Sequence, residues 1–174
     1  MSSPCRPSYV VVVAAFIAAK LLYAQATTAD VRFLLAPTNA LVEIMLSSTS
    51  VFDAGRGYVH PGLRIVIDKS CAGGNFWLLS WLLLAATYLH QHGRRPALAV
   101  LALVVVSFGL TLLVNAARIV GAVTLGRVLP VGGPPPGWLH EAQGALVYLF
   151  SLVAAHCALL YFLFKTTAIR AHSA

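Results

Sequence analysis

Acidic side chains are scarce in this chain. Among 174 residues five are Asp or Glu against 12 Lys and Arg, and charged residues of either sign make up only 10%. That little charge excludes the exterior of an ordinary soluble domain. Cysteine is scarce as well: Cys5, Cys71 and Cys157 fall in an inner tail, at an outer face and deep within the last apolar run, so they make no disulfide framework. There is no Cys-x-x-Cys, no His-Glu-x-x-His, no Gly-x-Ser-x-Gly and no Walker-type loop. His140 and His156 stand about 24 Å apart along one helix, too far to share an ion. Chemistry without a metal or cofactor is the simpler expectation.

What is abundant is hydrophobic side chain, 59% of the chain. Four apolar runs have the length of membrane spans: residues 10–26, 75–90, 97–117 and 139–164. Only helices or closed barrels satisfy the backbone in lipid, and none of these runs alternates as a barrel strand does. The expected fold class is therefore an all-α integral membrane helical bundle of about four transmembrane helices, one polytopic domain over residues 1–174. The start of the chain also resembles a signal peptide, with Arg6, an apolar run from Tyr9 and Ala24-Gln25-Ala26, although Lys20 interrupts it. Read as a span, that run needs Lys20 to snorkel toward a head group.

Orientation follows from basic residues in short loops. Arg94 and Arg95 lie between the second and third runs with no acid beside them, so that loop should be cytoplasmic. Arg6, Lys165 and Arg170 fall on the same side, whereas Asp30, Glu43, Asp53, Asp68 and Glu141 fall on the other. Both termini are then inside and residues 27–70 are exported. The formal charge of +7 does not imply a nucleic-acid partner, because the basic residues are scattered without an aromatic-interleaved patch. The expected environment is membrane lipid.

The exported segment is too short for an enzyme domain of its own and must fold against the helices. Thr38 or Asn39 can cap a short helix over residues 40–46, and residues 51–58 and 63–67 flank His60-Pro61-Gly62 as a β-hairpin with a type II turn. The second strand leads directly to Cys71. Pro134-Pro135-Pro136 reads as a stiff spacer, and Trp77 and Trp138 read as interfacial anchors.

Counting spans places Cys71, Arg118 and His140 on one membrane face. Cys71, in Asp68-Lys69-Ser70-Cys71-Ala72-Gly73-Gly74, opens the second run; capped by Ser70 and beside Lys69, its thiolate is favoured, and the small residues after it leave room for a substrate backbone. The alternative is a free cysteine in a tight turn. Arg118 can hold an oxyanion or a carboxylate, or can snorkel, with Arg127 the rival cation and Asn115 a packing or site residue. His140, at a helix N-terminus, stays neutral and able to accept a proton, or is a solvated interfacial histidine; His60 is the backup base. A thiol, a fixed cation and an imidazole together suit cysteine-dependent acyl transfer.

Asp68-Lys69-Ser70-Cys71-Ala72-Gly73, Asn115-Ala116-Ala117-Arg118-Ile119 and His140-Glu141-Ala142-Gln143-Gly144 resemble the exosortase and archaeosortase family of membrane cysteine transpeptidases, over residues 68–150. Thr38-Asn39 and the compact length are most similar to the short exosortase K subgroup. The resemblance implies Cys71 as nucleophile, Arg118 as electrostatic stabiliser and His140 as acid/base. It also implies substrates: exported proteins bearing a C-terminal motif, a transmembrane helix and a basic tail, cleaved and handed to an acceptor. This chain is shorter than most members, with fewer spans, so the substrate motif and the acceptor stay open. The rivals are a non-enzymatic membrane scaffold and a small transporter, the latter lacking paired carboxylates within spans.

Overall fold

The computed structural model describes residues 6–91, 97–128 and 137–172, with side chains described for 8–91, 98–127 and 141–165. In chain order the elements are α1 (Arg6–Gln25), α2 (Arg32–Leu46), β1 (Val51–Asp53), β2 (Gly57–His60), β3 (Ile65–Ile67), a 3-10 turn (Lys69–Cys71), α3 (Gly74–Gln91), α4 (Ala97–Val128) and α5 (Gly137–His172). Four of the helices, α1, α3, α4 and α5, are long and apolar enough to cross a membrane. Their outward faces carry exposed Leu21, Leu22, Leu101, Val105, Leu149 and Phe150. Arg94 and Arg95, Cys5 and Pro134-Pro135-Pro136 lie outside the described residues, as does the side chain of Trp138.

Two helix ends differ from the sequence expectation. α4 runs about three turns past residue 117, because Ile119, Val120, Ala122 and Val123 continue the apolar pattern and Gly126 alone does not stop a helix. Arg118 is thus inside a helix and Arg127 is in its last turn, not in an open loop. α2 begins eight residues before the expected short helix and contains Pro37. Its Leu34, Leu35, Thr38, Asn39 and Val42 are buried at helical spacing, so Thr38 and Asn39 line the packed face and do not cap the end. The apparent start at Pro37 misleads because tertiary burial of this face outweighs both the lost ladder bond and the ring's crowding of the preceding turn. The chain enters α2 through a tight turn in which Thr27 N–H and Oγ1 donate to Asp30 Oδ2 at 2.8 and 2.7 Å.

The expected hairpin is a three-stranded antiparallel sheet in the order β1-β2-β3. Residues 51–58, read as one strand, fold back on themselves: Asp53 Oδ1 accepts from the N–H groups of Gly55 and Arg56 at 2.8 and 2.9 Å, and Gly57 takes a φ of +99°. Such an aspartate turn supplies the reversal before any second strand is needed. The second reversal does lie at Pro61-Gly62, where Leu63 N–H donates to His60 C=O at 3.2 Å. It is not type II, since the positive φ, +54°, falls at Arg64 and not at Gly62.

The core that joins this cap to the helices consists of Val31, Leu34, Leu35 and Val42 from α2 and the preceding turn, Ile67, Ala72, and Ala116 and Ile119 of α4. Trp77 belongs to this joint as well. Its ring meets Phe33 and Phe108 edge-on, with centroids 5.9 and 5.4 Å away, and its Nε1–H donates to Val104 C=O at 3.2 Å. The side chain therefore locks α2, α3 and α4 together, where an interfacial anchor had been expected. A second cluster, Val12, Ala85 and Leu89, packs α1 on α3 toward the opposite end of α3. α5 lies against α3 and α4 by one face only, which leaves Cys157 exposed on its outer face and not buried within the bundle.

Candidate active site

The segment before α3 is held by its own side chains. Asp68 Oδ1 accepts from Ser70 N–H at 2.9 Å and from Ser70 Oγ at 2.6 Å, and Cys71 N–H donates to Asp68 C=O at 2.9 Å. Asp68, not Ser70, is the capping residue, and it caps the 3-10 turn; Cys71 precedes the first turn of α3 by three residues. Its thiol lies half-buried, 3.8 Å from Ser70 Oγ. Lys69 turns away from it. The ammonium donates to Ala24 and Ala26 C=O at 3.0 and 2.6 Å, closing the C-terminal end of α1, where a cation meets the negative end of the helix dipole.

The small residues after Cys71 serve packing within the protein. Gly73 has a φ of +71°, and a Cβ there would sit 3.1 Å from Thr111 Cγ2 and 3.2 Å from Asn115 Cγ. A side chain on Gly74 would meet the ring of Tyr23. α4 and α1 thus approach both glycines closely, and both glycines also line a cavity of about 340 Å³ beside the cysteine turn.

Asn115 is the hub of the site. It is fully buried; its Nδ2 donates to Cys71 C=O, and its Oδ1 accepts from Tyr148 Oη at 2.8 Å and from Arg118 Nε at 3.4 Å. One amide therefore ties the cysteine turn, α4 and α5 together. Arg118 also lies over the Tyr148 ring, with Cζ 5.3 Å from the centroid, a cation-π contact. Gly144 leaves room for this arrangement, since a Cβ there would be 3.2 Å from Arg118 Nη1. Tyr148 went unnoticed in the sequence because it sits mid-span among apolar neighbours; its only signal is a hydroxyl at a position where lipid would offer it no partner.

Cys71 and Arg118 line one cavity of about 520 Å³, with Ile65, Val66 and Ile67 on one side and Ile119, Ala122, Val123 and Gly126 on the other. That volume lies within the range of small-ligand sites. Arg127, the rival cation, lines the same cavity and so belongs to the site without displacing Arg118. A separate cavity of about 340 Å³, lined by Tyr23, Lys69, Asn75 and Tyr148 among others, flanks the same turn. His140 occupies the first turn of α5, one turn before Gly144; its side chain lies outside the described residues.

His60, the backup base, is buried elsewhere. Its Nε2 is 2.8 Å from Asn39 Oδ1 and its Nδ1 is 3.2 Å from Ser48 Oγ. Asn39 Nδ2 donates to Ser50 Oγ at 2.9 Å, and Ser50 Oγ donates to Glu43 Oε1 at 2.6 Å. Burial pushes the imidazole below its ordinary pKa, while the Ser50 hydroxyl holds the Glu43 carboxyl below its own. This network closes the cap between α2 and the sheet and contributes no group to the Cys71 cavity.

Comparison with protein-family models, with curated proteins and with solved structures returned no match to this chain.

Proposed function

We propose that the chain is a membrane-embedded cysteine transpeptidase or protease of the exosortase kind, working at the extracytoplasmic face of the plasma membrane. One observation supports the reading above all others: Cys71 and Arg118, separated in sequence by α3 and the first two thirds of α4, line the same cavity. The Cys71 thiolate attacks the scissile carbonyl, forming an S–C bond, and the oxyanion develops toward the Arg118 guanidinium. Removing one such oxyanion contact typically costs about 3–4 kcal/mol of transition-state stabilisation. His140 gives its proton to the departing amine as the C–N bond breaks. Water, an amine or a hydroxyl then attacks the thioester, returning the thiol and releasing the acyl product. Substrates are exported proteins whose C-terminal motif, helix and basic tail hold the scissile bond at head-group level, the level of the cavity if both termini are cytoplasmic.

The test is covalent. Incubated with a tail-bearing substrate and no acceptor, the protein should yield a peptide containing Cys71 that carries the substrate's new C-terminus, and hydroxylamine should release it as a hydroxamate. A scaffold is the second reading, and the close packing of Gly73 and Gly74 against Asn115 and Tyr23 favours it to the extent that the turn needs no reaction to explain it. An ordinary alkylation rate at Cys71, with no adduct, would establish the scaffold instead.

A further inference from the structure

Successive side chains of a strand point to opposite faces, so no single face can present three in a row. Ile65, Val66 and Ile67 nevertheless all line the Cys71 cavity. The cavity therefore lies along the edge of β3. That edge is the outer one, because the strand order is β1-β2-β3 and β3 pairs only with β2, Val66 opposite Val59. The carbonyl of Ile67 faces Gly57 on β2, where a Cβ would collide with it. Since the N–H and C=O of one strand residue share a direction that reverses at the next, those of Val66 face the cavity. Among the described residues no backbone group pairs with them. Val66 is also 38% exposed.

The opposite wall is α4, with Ile119, Ala122, Val123 and Gly126 on one helical face. From Arg118, beside the cysteine turn, to Arg127 the helix rises about 13 Å, which is the length of about four extended residues. We propose that this cleft binds the substrate as an added strand: about four residues on the N-terminal side of the scissile bond lie extended on β3, reading Val66 through its main chain. The inference rests on the acyl-transfer reading of Cys71. It also sets the direction. β3 runs toward Cys71, and the acyl donor must bring its C-terminal carbonyl there, so the bound segment runs parallel to β3. An apolar helix wall on one side and paired backbone on the other select for extended, small or apolar residues, with main-chain hydrogen bonds supplying affinity.

The probe is a short acetylated Val-Ala-Val-Ala peptide whose C-terminus carries cysteamine as a pyridyl disulfide. Attack by the Cys71 thiolate forms the mixed disulfide and expels thiopyridone, whose absorbance reports the rate. In a parallel added strand only alternate peptide N–H groups face β3. Two isomers, N-methylated at alternate residues, are therefore compared on the full-length protein in nanodiscs, with Cys5 and Cys157 replaced by alanine. The expected result is a loss of about tenfold for one isomer and a change under twofold for the other. Val66→Pro removes the outward N–H that donates to a peptide carbonyl and keeps the Val66 carbonyl, so it should slow the unmethylated peptide while leaving the difference between the isomers. Gly126→Phe, placed where nothing lies within 4 Å, should slow every peptide by blocking the cleft. Methyl methanethiosulfonate should label Cys71 at the same rate in all three proteins. Equal rates for both isomers on the unsubstituted cleft overturn the added strand while leaving acyl transfer intact. A Cys71 inert even to the small reagent overturns the acyl-transfer reading and this one with it.

Discussion

The hydroxyl of Tyr148 donates to Oδ1 of Asn115 at 2.8 Å, so the amide that holds the Cys71 carbonyl is oriented from α5. Asn115 has no freedom to flip while Tyr148 donates to it, and its Nδ2 must then point at the cysteine turn. A hydrogen bond between two mid-helix residues thereby sets the position of a thiol on a third element.

Tyr148→Phe keeps the ring beneath Arg118 and removes only the donor. It should lower the processing rate of a tail-bearing substrate about fivefold, the worth of one hydrogen bond. Asn115→Leu removes all three contacts at once and should cost about a hundredfold, because misplacing a reacting group is penalised steeply. Single-turnover rates in membranes, with insertion checked separately, would measure both. Equal losses for the two variants would mean that the hydroxyl itself, not the amide, does the positioning.

Arg118→Lys retains a cation but loses both the stack on Tyr148 and the Nε bond to Asn115. We expect a rate loss of at least about a hundredfold with normal insertion. Arg127→Lys, in the last turn of α4, should stay within about threefold, since it keeps charge in the cleft away from the cysteine turn. If Arg127→Lys proves the more damaging of the two, the assignment of the stabilising cation reverses.

Cys157 is exposed on the outer face of α5, where alanine leaves no cavity. Cys157→Ala should process substrate at the unaltered rate, whereas Cys71→Ala should abolish processing. Inactivity of an inserted Cys157→Ala protein would place the nucleophile wrongly.

His60 makes the cap sensitive to acid. Its folded pKa lies below the ordinary value because of burial, so the unfolded chain binds the proton more readily. The stability it contributes is fully present above an unfolded pKa of about 6.5 and is lost as pH falls below that value. Glu43, the acid nearest in the network, is held low by Ser50 and adds a second loss only in the more acidic carboxylate range. Hydrogen exchange of residues 51–67, corrected for intrinsic rates, should show protection falling as the pH drops below about 6.5. His60→Gln should flatten that slope. A slope unchanged by the substitution would assign the acid sensitivity to another group.

Much of the candidate site was legible because spans are counted, not folded. Apolar runs of sufficient length mark helices, and parity then puts residues flanking an even number of crossings at one end, which pairs Cys71 with Arg118. The neighbours of that pair were not legible. Lys69 looks like an activator of the thiol from its place in the chain, yet it reaches the carbonyls of Ala24 and Ala26, 43 to 45 residues away. His60 looks like a spare base, but a buried Asn39 and Ser48 claim both of its nitrogens. Each error arises from a polar side chain whose partner is remote in sequence, where no periodicity or spacing carries information.

The amino-acid order alone determined a hydrophobic helical chain with an apolar length of four spans, and that Cys71 and Arg118 fall at one end of it, because bilayer thickness and backbone hydrogen bonding leave a span few alternatives. Tertiary packing decided the rest. That α2 absorbs Pro37, that the cap is a three-stranded sheet with a free edge, and that Asn115 joins Cys71, Arg118 and Tyr148 all depend on contacts between elements. Each of those contacts is worth only a few kcal/mol or less and becomes decisive only when the neighbouring surfaces have already excluded solvent.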